Sequence, residues 1–263
     1  MSLTRFVLVV EYNGTRYHGF QWQAGLPTVQ GELERAVGEL CGRSSRVISA
    51  SRTDAGVHAK GQVVTFWTEA VMSTMTMVKG MNHYLPGDVA VRAAYTADDG
   101  FRVRRDALSR EYCYHILNSP TRSPFSEMFA LFMPRTLDIE TMRQACQTMV
   151  GEHDFASFAT SVDDVDNTTR CMYEANIEKR DEFIVLYVMA NSFIRHQVRN
   201  TVGLLIRLGL GKLEVEDFRH VMEERQPGLA GPTAPAKGLC LTRVNYDRPL
   251  DQMGGTSPDE VSG

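Results

Sequence analysis

The chain lacks most of the features that would place it at once. Its 263 residues include five cysteines, Cys41, Cys113, Cys146, Cys171 and Cys240, scattered so that none forms a C-x-x-C pair. That spacing suggests neither a zinc site nor a disulfide framework. Reduced thiols in a cytoplasmic protein are the simplest reading. Long hydrophobic runs are missing too. The apolar stretch Phe6 to Val10 stops at Glu11, too short for a signal peptide or a membrane span. The expectation is a soluble, cytoplasmic protein with no membrane partner. There is no internal repeat and no low-complexity tract before the tail. Nor is there an excess of basic charge: the net charge is −4, which at first argues against a nucleic-acid partner.

What is present is ordinary globular material, 43% hydrophobic and 23% charged. The length suits one large domain or two lobes with a substantial core. The distribution of charge says more than its sum. Phe101 to Arg110 carries four arginines and one Asp, and Ser192 to Leu208 carries Arg195, Arg199 and Arg207 with no acid. Acids gather in Asp98-Asp99, in Asp163 to Asp166 and in the tail. Local basic surface on an acidic remainder is compatible with RNA binding.

Periodicity gives a mixed strand and helix order. Arg5 to Tyr12 reads as a strand closed by the turn Asn13-Gly14. Thr28 reads as the N-cap of a helix with the stripe Val29, Leu33, Val37, Leu40. Strands are expected over Arg46 to Ser51, Gln62 to Trp67 and Val89 to Tyr95, with a methionine-rich helix over Thr74 to Tyr84. From Tyr112, alternation puts Tyr112, Tyr114 and Ile116 on one strand face and Cys113 and His115 on the other. Pro120 to Pro134 reads as loop, and Asp138 to Val150 as helix. A strand pair, Thr168 to Glu178 and Glu182 to Met189, turns at Arg180-Asp181. Phe193 to Leu208 reads as a helix with the stripe Ile194, Val198, Val202, Leu205, and with Arg195 and Arg199 one turn apart beside it. Val215 to Glu224 is a short helix and Leu241 to Tyr246 the last strand. Ser161 to Thr168 is expected to be mobile, and Pro249 to Gly263 disordered.

The densest chemistry lies in Arg52-Thr53-Asp54-Ala55-Gly56-Val57-His58, between two strand-like runs. One reading is a turn, with Asp54 bonding nearby backbone and Gly56 supplying a positive φ. The other is a nucleophilic carboxylate beside Arg52, able to attack an electrophilic carbon without a general base. The loop Thr15 to Gln23 interleaves aromatics with amides and a cation, suited to unpaired bases or to pinning the loop itself. The His153-Asp154 pair reads better as a loop-ordering hydrogen bond than as a metal site.

These stretches resemble the tRNA pseudouridine synthases of the TruA type. Arg52 to His58 is similar to that family's catalytic loop, and Tyr17 to Gln23 to its Y-x-G-F-Q-x-Q segment. Phe101 to Ile116 resembles F-x-A-R followed by R-x-Y-x-Y-x-I, with Val103 where Ala is usual. Gly151 to Phe158 matches G-x-H-D-F-x-x-F, and Asn191 to Asn200 resembles N-x-F-x-x-H-x-V-R-N. The resemblance runs over residues 3 to 246. It departs at Asn13, where the family's first turn usually carries Asp.

The resemblance implies an α/β (α+β) fold, the pseudouridine synthase fold. This is a curved, largely antiparallel sheet flanked by helices, in two ferredoxin-like lobes with the active cleft between them. The expected N-terminal lobe is 1–105 with the catalytic Asp loop, and the C-terminal lobe is 106–248 with the Tyr strand and Arg helix. The tail is 249–263. The implied function is isomerisation of uridine to pseudouridine at positions 38, 39 and 40 of the tRNA anticodon stem-loop, by a homodimer that one tRNA bridges. Asp54 is the implied catalytic nucleophile. Arg199 would keep it charged and aimed, and Tyr112 would stack on the uracil. Arg52, His58 and Gln21 join Tyr112 as expected substrate contacts. With no redox change and no group donor, no cofactor and no metal are expected. Two other classes share the motifs' general character, a non-catalytic RNA-binding protein of this fold and an Asp-nucleophile glycosylase.

Overall fold

The structure is a computed structural model that describes residues 3–162 and 166–253. The chain divides into two compact units. One runs through Leu108 and resumes at Leu241; the other is Ser109–Cys240.

The first unit opens with Thr4–Tyr12 (β1), whose Phe6, Leu8 and Val10 are fully buried. Helix Val29–Cys41 (α1) follows. Thr28 caps it as expected, its Oγ1 accepting the Gly31 N–H at 3.2 Å. Its buried face is Val29, Leu33, Ala36 and Val37. Then come Ile48–Ser49 (β2), His58–Thr68 (β3), Thr74–Tyr84 (α2) and Val89–Ala97 (β4). β1 lies between β3 and β4, antiparallel to both, with Phe6 opposite Phe66 and Thr96. Met77 and Met81 of α2 are core, while Met75 is exposed. Each large side chain sealed this way contributes about 1.5–3 kcal/mol.

The second unit contains Ala107–Leu117 (β5, entering from the first unit), Leu131–Phe132 (β6), Ile139–Gln147 (α3), Gly151–Asp154 (β7), Thr169–Arg180 (β8) and Phe183–Ala190 (β9). Helices Gln197–Gly209 (α4) and Val215–Glu224 (α5) complete it. Its sheet runs β5–β9–β8–β7, antiparallel throughout, with the short β6 parallel to β5. Asp138 caps α3, accepting from the Glu140 and Thr141 N–H groups. α3 packs on β8 and against α4 and α5. The last strand, Leu239–Tyr246 (β10), lies beside β3, so the first unit's order is β4–β1–β3–β10 with β2 also on β3. The class is therefore mixed α/β with a mostly antiparallel sheet flanked by helices. No helix among the described residues is long and apolar enough to cross a membrane.

Four expectations need correction. The strand expected over Arg46 to Ser51 shrinks to Ile48–Ser49. The strand expected from Gln62 begins four residues earlier, at His58. The loop Pro120 to Pro134 contains β6. The helix expected from Phe193 begins at Gln197, because His196 sits at φ 64, a left-handed conformation that no α-helix runs through. A turn replaces the first helical turn: the Gln197 N–H donates to Ile194 O at 3.1 Å, and Gln197 Oε1 accepts the Ile194 N–H at 3.0 Å. Arg195 therefore precedes the helix, and its spacing to Arg199 is not a helical turn. Of the stretches expected to be mobile or disordered, residues 163–165 and 254–263 lie outside the described residues. Leu250–Gln252 forms a 3-10 turn.

Candidate active site

The loop Arg52 to His58 is clamped onto the segment that follows β1. Tyr12 Oη and Thr53 Oγ1 share a buried hydrogen bond of 2.7 Å. The Phe20 N–H donates to Thr53 O at 3.0 Å, and the Gly56 N–H to Tyr17 O at 3.2 Å. The Gly14 N–H donates to His58 Nδ1 at 3.1 Å, which fixes that nitrogen as the acceptor. Gly56 takes φ 78, as the turn reading expects, and the Val57 N–H closes the turn on Asp54 O at 3.1 Å. At Gly14 the backbones press together: a methyl group there would lie 2.0 Å from Val57 O. The outcome is selective. Thr53, Val57 and His58 are buried and held, while Asp54 is half-buried between them. The backbone on both sides of Asp54 is thereby held.

The other candidates of the first unit occupy distinct environments. His58 is buried as the first residue of β3 and serves the Gly14 contact. Gln21 is exposed in the loop, beside exposed Trp22. That loop is tied by the Trp22 N–H to Gln30 Oε1 at 2.9 Å and by Gln23 Nε2 to His18 O at 2.8 Å. Asn13 keeps the turn, its Oδ1 accepting from the Thr15 N–H and hydroxyl. Arg52 is exposed and makes no ion pair among the described residues, so an Arg52–Asp54 pair is not what orders the carboxylate. Its charge is felt instead by Arg104, whose guanidinium is pushed below its ordinary range by burial and by Arg52.

In the second unit Tyr112 sits on β5, 6% exposed, with its ring edge-on to Phe193 at 5.1 Å. Tyr114, two residues on, is fully buried; its hydroxyl donates to Pro235 O at 2.7 Å. Burial lifts that phenol well above the ordinary tyrosine range, and the Arg199 charge offsets part of the rise. Arg199 is half-buried in the first turns of α4. Its Nε donates to Ala234 O at 2.8 Å, while the Ala234 N–H donates to Arg199 O at 3.1 Å. The helix and the 234–238 segment are thus locked at one arginine. Asn200, also buried, donates to Phe158 O at 2.8 Å and accepts from Thr233 Oγ1 at 2.6 Å. Asp154 Oδ1 accepts from the Ala156 N–H and the Thr168 hydroxyl, the loop-ordering role expected of the His-Asp pair.

A family model described as tRNA pseudouridine synthase matches residues 8–105 and 145–247. The chain belongs to that family. Members of the family isomerise uridine to pseudouridine, and this synthase is similar to curated relatives along nearly its whole length. It is 39% identical to the tRNA pseudouridine synthase A of Actinobacillus succinogenes over 98% of this chain and 99% of the relative. It is 37% identical to that of an Exiguobacterium species over 94% and 99%. A solved structure, the crystal structure of the archaeal box H/ACA sRNP Nop10–Cbf5 complex, aligns at 10% identity with a TM-score of 0.38, over 78% of this chain and 44% of that one. That likeness is too distant to add to the argument.

The synthase's loop scaffold contains residues that the sequence did not single out. Gln62 ties Tyr12 to Ser51: its Nε2 donates to Tyr12 Oη at 3.4 Å and to Ser51 O at 2.7 Å, and its Oε1 accepts the Ser51 N–H at 3.3 Å. Asp88 holds the other side, accepting from Tyr17 Oη and Arg16 Nε, each at 2.7 Å. Asp88 reads locally as an ordinary turn residue beside Pro86-Gly87.

Proposed function

We propose that this synthase converts uridine to pseudouridine at positions 38, 39 and 40 of the tRNA anticodon arm, with Asp54 as the nucleophile. The observation that carries the proposal is the loop itself. Hydrogen bonds at Thr53, Gly56 and His58 tie the loop to the segment around Tyr12 to Phe20, and the Val57 N–H closes on Asp54 O, so the half-buried Asp54 sits on a backbone held on both sides.

The reaction breaks the C1′–N1 bond, turns the base while it stays bound, and forms a C1′–C5 bond. The proton on C5 leaves and N1 ends with one, so atoms balance with no oxidant and no group donor. A stacked base is out of reach, so the uridine is flipped out at a cost of a few kcal/mol. Asp54 attacks C1′ or C6. The family resemblance gives Arg199 the part of keeping it charged and aimed, and Tyr112 that of stacking on the uracil and assisting loss of the C5 proton. Arg52 holds the flipped nucleotide's phosphate or fills the gap it leaves, with Gln21 and His58 lining the approach. A homodimer bridged by one tRNA shares the phosphate contacts, which suits a chain of net charge −4.

Pseudouridine mapping on anticodon-arm RNA incubated with the protein tests this. Modification at positions 38 to 40 is expected. Abasic sites would replace the isomerase by a glycosylase, and unchanged RNA would leave only binding.

A further inference from the structure

The first unit holds a cavity of about 450 Å³ that the catalytic loop does not line. Five arginines line it, Arg5, Arg46, Arg102, Arg104 and Arg105, and no carboxylate does. Ile48 and Trp67 supply an apolar wall; Ile48 is exposed although it is apolar. Most of a protein's clustered arginines are neutralised by nearby acids. Here Arg46 and Arg105 are exposed and make no ion pair among the described residues. The carboxylates whose charge reaches Arg5 are those of Asp99 and Asp106, and the latter's Oδ2 is engaged by the Arg102 N–H at 2.7 Å.

Arg5 is the one buried arginine of the five. It is 7% exposed, its guanidinium stacks 4.0 Å over the Trp67 ring, and its Nη1 is shared among the carbonyls of Asp98, Asp99 and Phe101. Its Nε is buried with no hydrogen-bond partner. Arg5 is thus fixed within the wall, and the exposed Arg46, Arg102, Arg104 and Arg105 are the arginines that an anionic oxygen in the cavity can reach. Arg104 lines the same cavity and lies in the field of Arg52, so the cationic surface continues towards the loop that carries Asp54.

We infer that this cavity takes a nucleotide of the substrate RNA other than the one being isomerised. Its phosphate meets Arg46 and Arg105, and its base packs on Ile48 and Trp67. This rests on the proposed action on tRNA. A base has an apolar face and an anionic tether, which is the combination the cavity's two walls provide.

The test pairs two exposed substitutions, Arg46→Gln and Arg105→Gln, in the full chain. KM for anticodon-arm RNA is expected to rise roughly tenfold with kcat held, and the slope of log affinity against log salt to flatten by about 0.7 for one phosphate no longer neutralised on single-stranded RNA. Arg43→Gln, whose partner is Glu69 at 2.7 Å, serves as the control and should change neither. Trp67 also reports directly. Trp22 and Trp67 are the only tryptophans, so in a Trp22→Phe background RNA should quench the remaining emission. A double variant that melts like the parent with unchanged KM and salt slope overturns the inference, as does unquenched Trp67 at saturating RNA. Uridine or adenosine 5′-monophosphate that quenches as fully as RNA, and competes with it, also overturns it in favour of a free-nucleotide site. A parent enzyme that binds RNA and quenches but forms no pseudouridine would sink the proposed function instead, leaving the cavity assignment standing.

Discussion

Gly14 and His58 meet where the turn after the first strand closes onto the Arg52 to His58 loop, and the fit there leaves no room for a methyl group. Gly14→Ala is expected to cost about 2–3 kcal/mol of stability, because the backbones must separate, and to lower kcat with it. Urea unfolding and initial rates read the two effects. Tyr12→Phe removes one buried bond to Thr53 and should cost about 1 kcal/mol, with KM less affected than kcat, since the loop rather than the RNA contact is disturbed. Tyr112→Phe should lower kcat if the hydroxyl takes part in proton transfer; an unchanged rate leaves only stacking for that ring. At this scale the sequence reads the loop's own turn well, because Asp54, Gly56 and their neighbours act locally. It does not reveal Tyr12 or Gln62 as supports, since their partners lie 41 and 11 residues away and only the folded sheet brings them together.

Among the elements, the start of α4 shows where periodicity stops being informative. Ile194 fits the helical stripe and is buried, yet it precedes the helix. The apolar pattern reports burial, and the left-handed His196 decides the conformation. The α4 residue Asn200 ties two separate loops to the helix, so Asn200→Ala should cost about 2–3 kcal/mol by stranding Phe158 O and Thr233. Urea unfolding monitored by circular dichroism measures it. The approach to β4 carries a pH-dependent brace. Burial raises the Asp88 carboxyl, but the hydrogen bonds from Arg16 and Tyr17 outweigh it and hold it below the ordinary aspartate range. A carboxyl depressed on folding adds stability that is complete above its unfolded pKa and is lost as pH falls through the folded one. Stability should therefore drop below about pH 3.8 more steeply in the parent than in Asp88→Asn, as urea midpoints across that range would show.

At the scale of the whole chain, the order of elements was legible because helices and strands here carry strong local signals: α2 and α5 begin and end where the periodicity places them. What was not legible is the path of the chain, which returns to the first unit at Leu241 to set β10 beside β3. Alternation in Leu241 to Tyr246 says strand; it does not say which neighbour. A chain ending at Cys240 should accordingly expose the first unit to limited proteolysis while Ser109–Cys240 resists. The family assignment rests on matches spread over both units, residues 8–105 and 145–247. The central chemical claim rests on one carboxylate. Its most direct test is Asp54→Ala assayed in parallel for tRNA binding and for pseudouridine at positions 38 to 40. Retained binding with no detectable pseudouridine is the predicted result, and full isomerisation by that variant would contradict it.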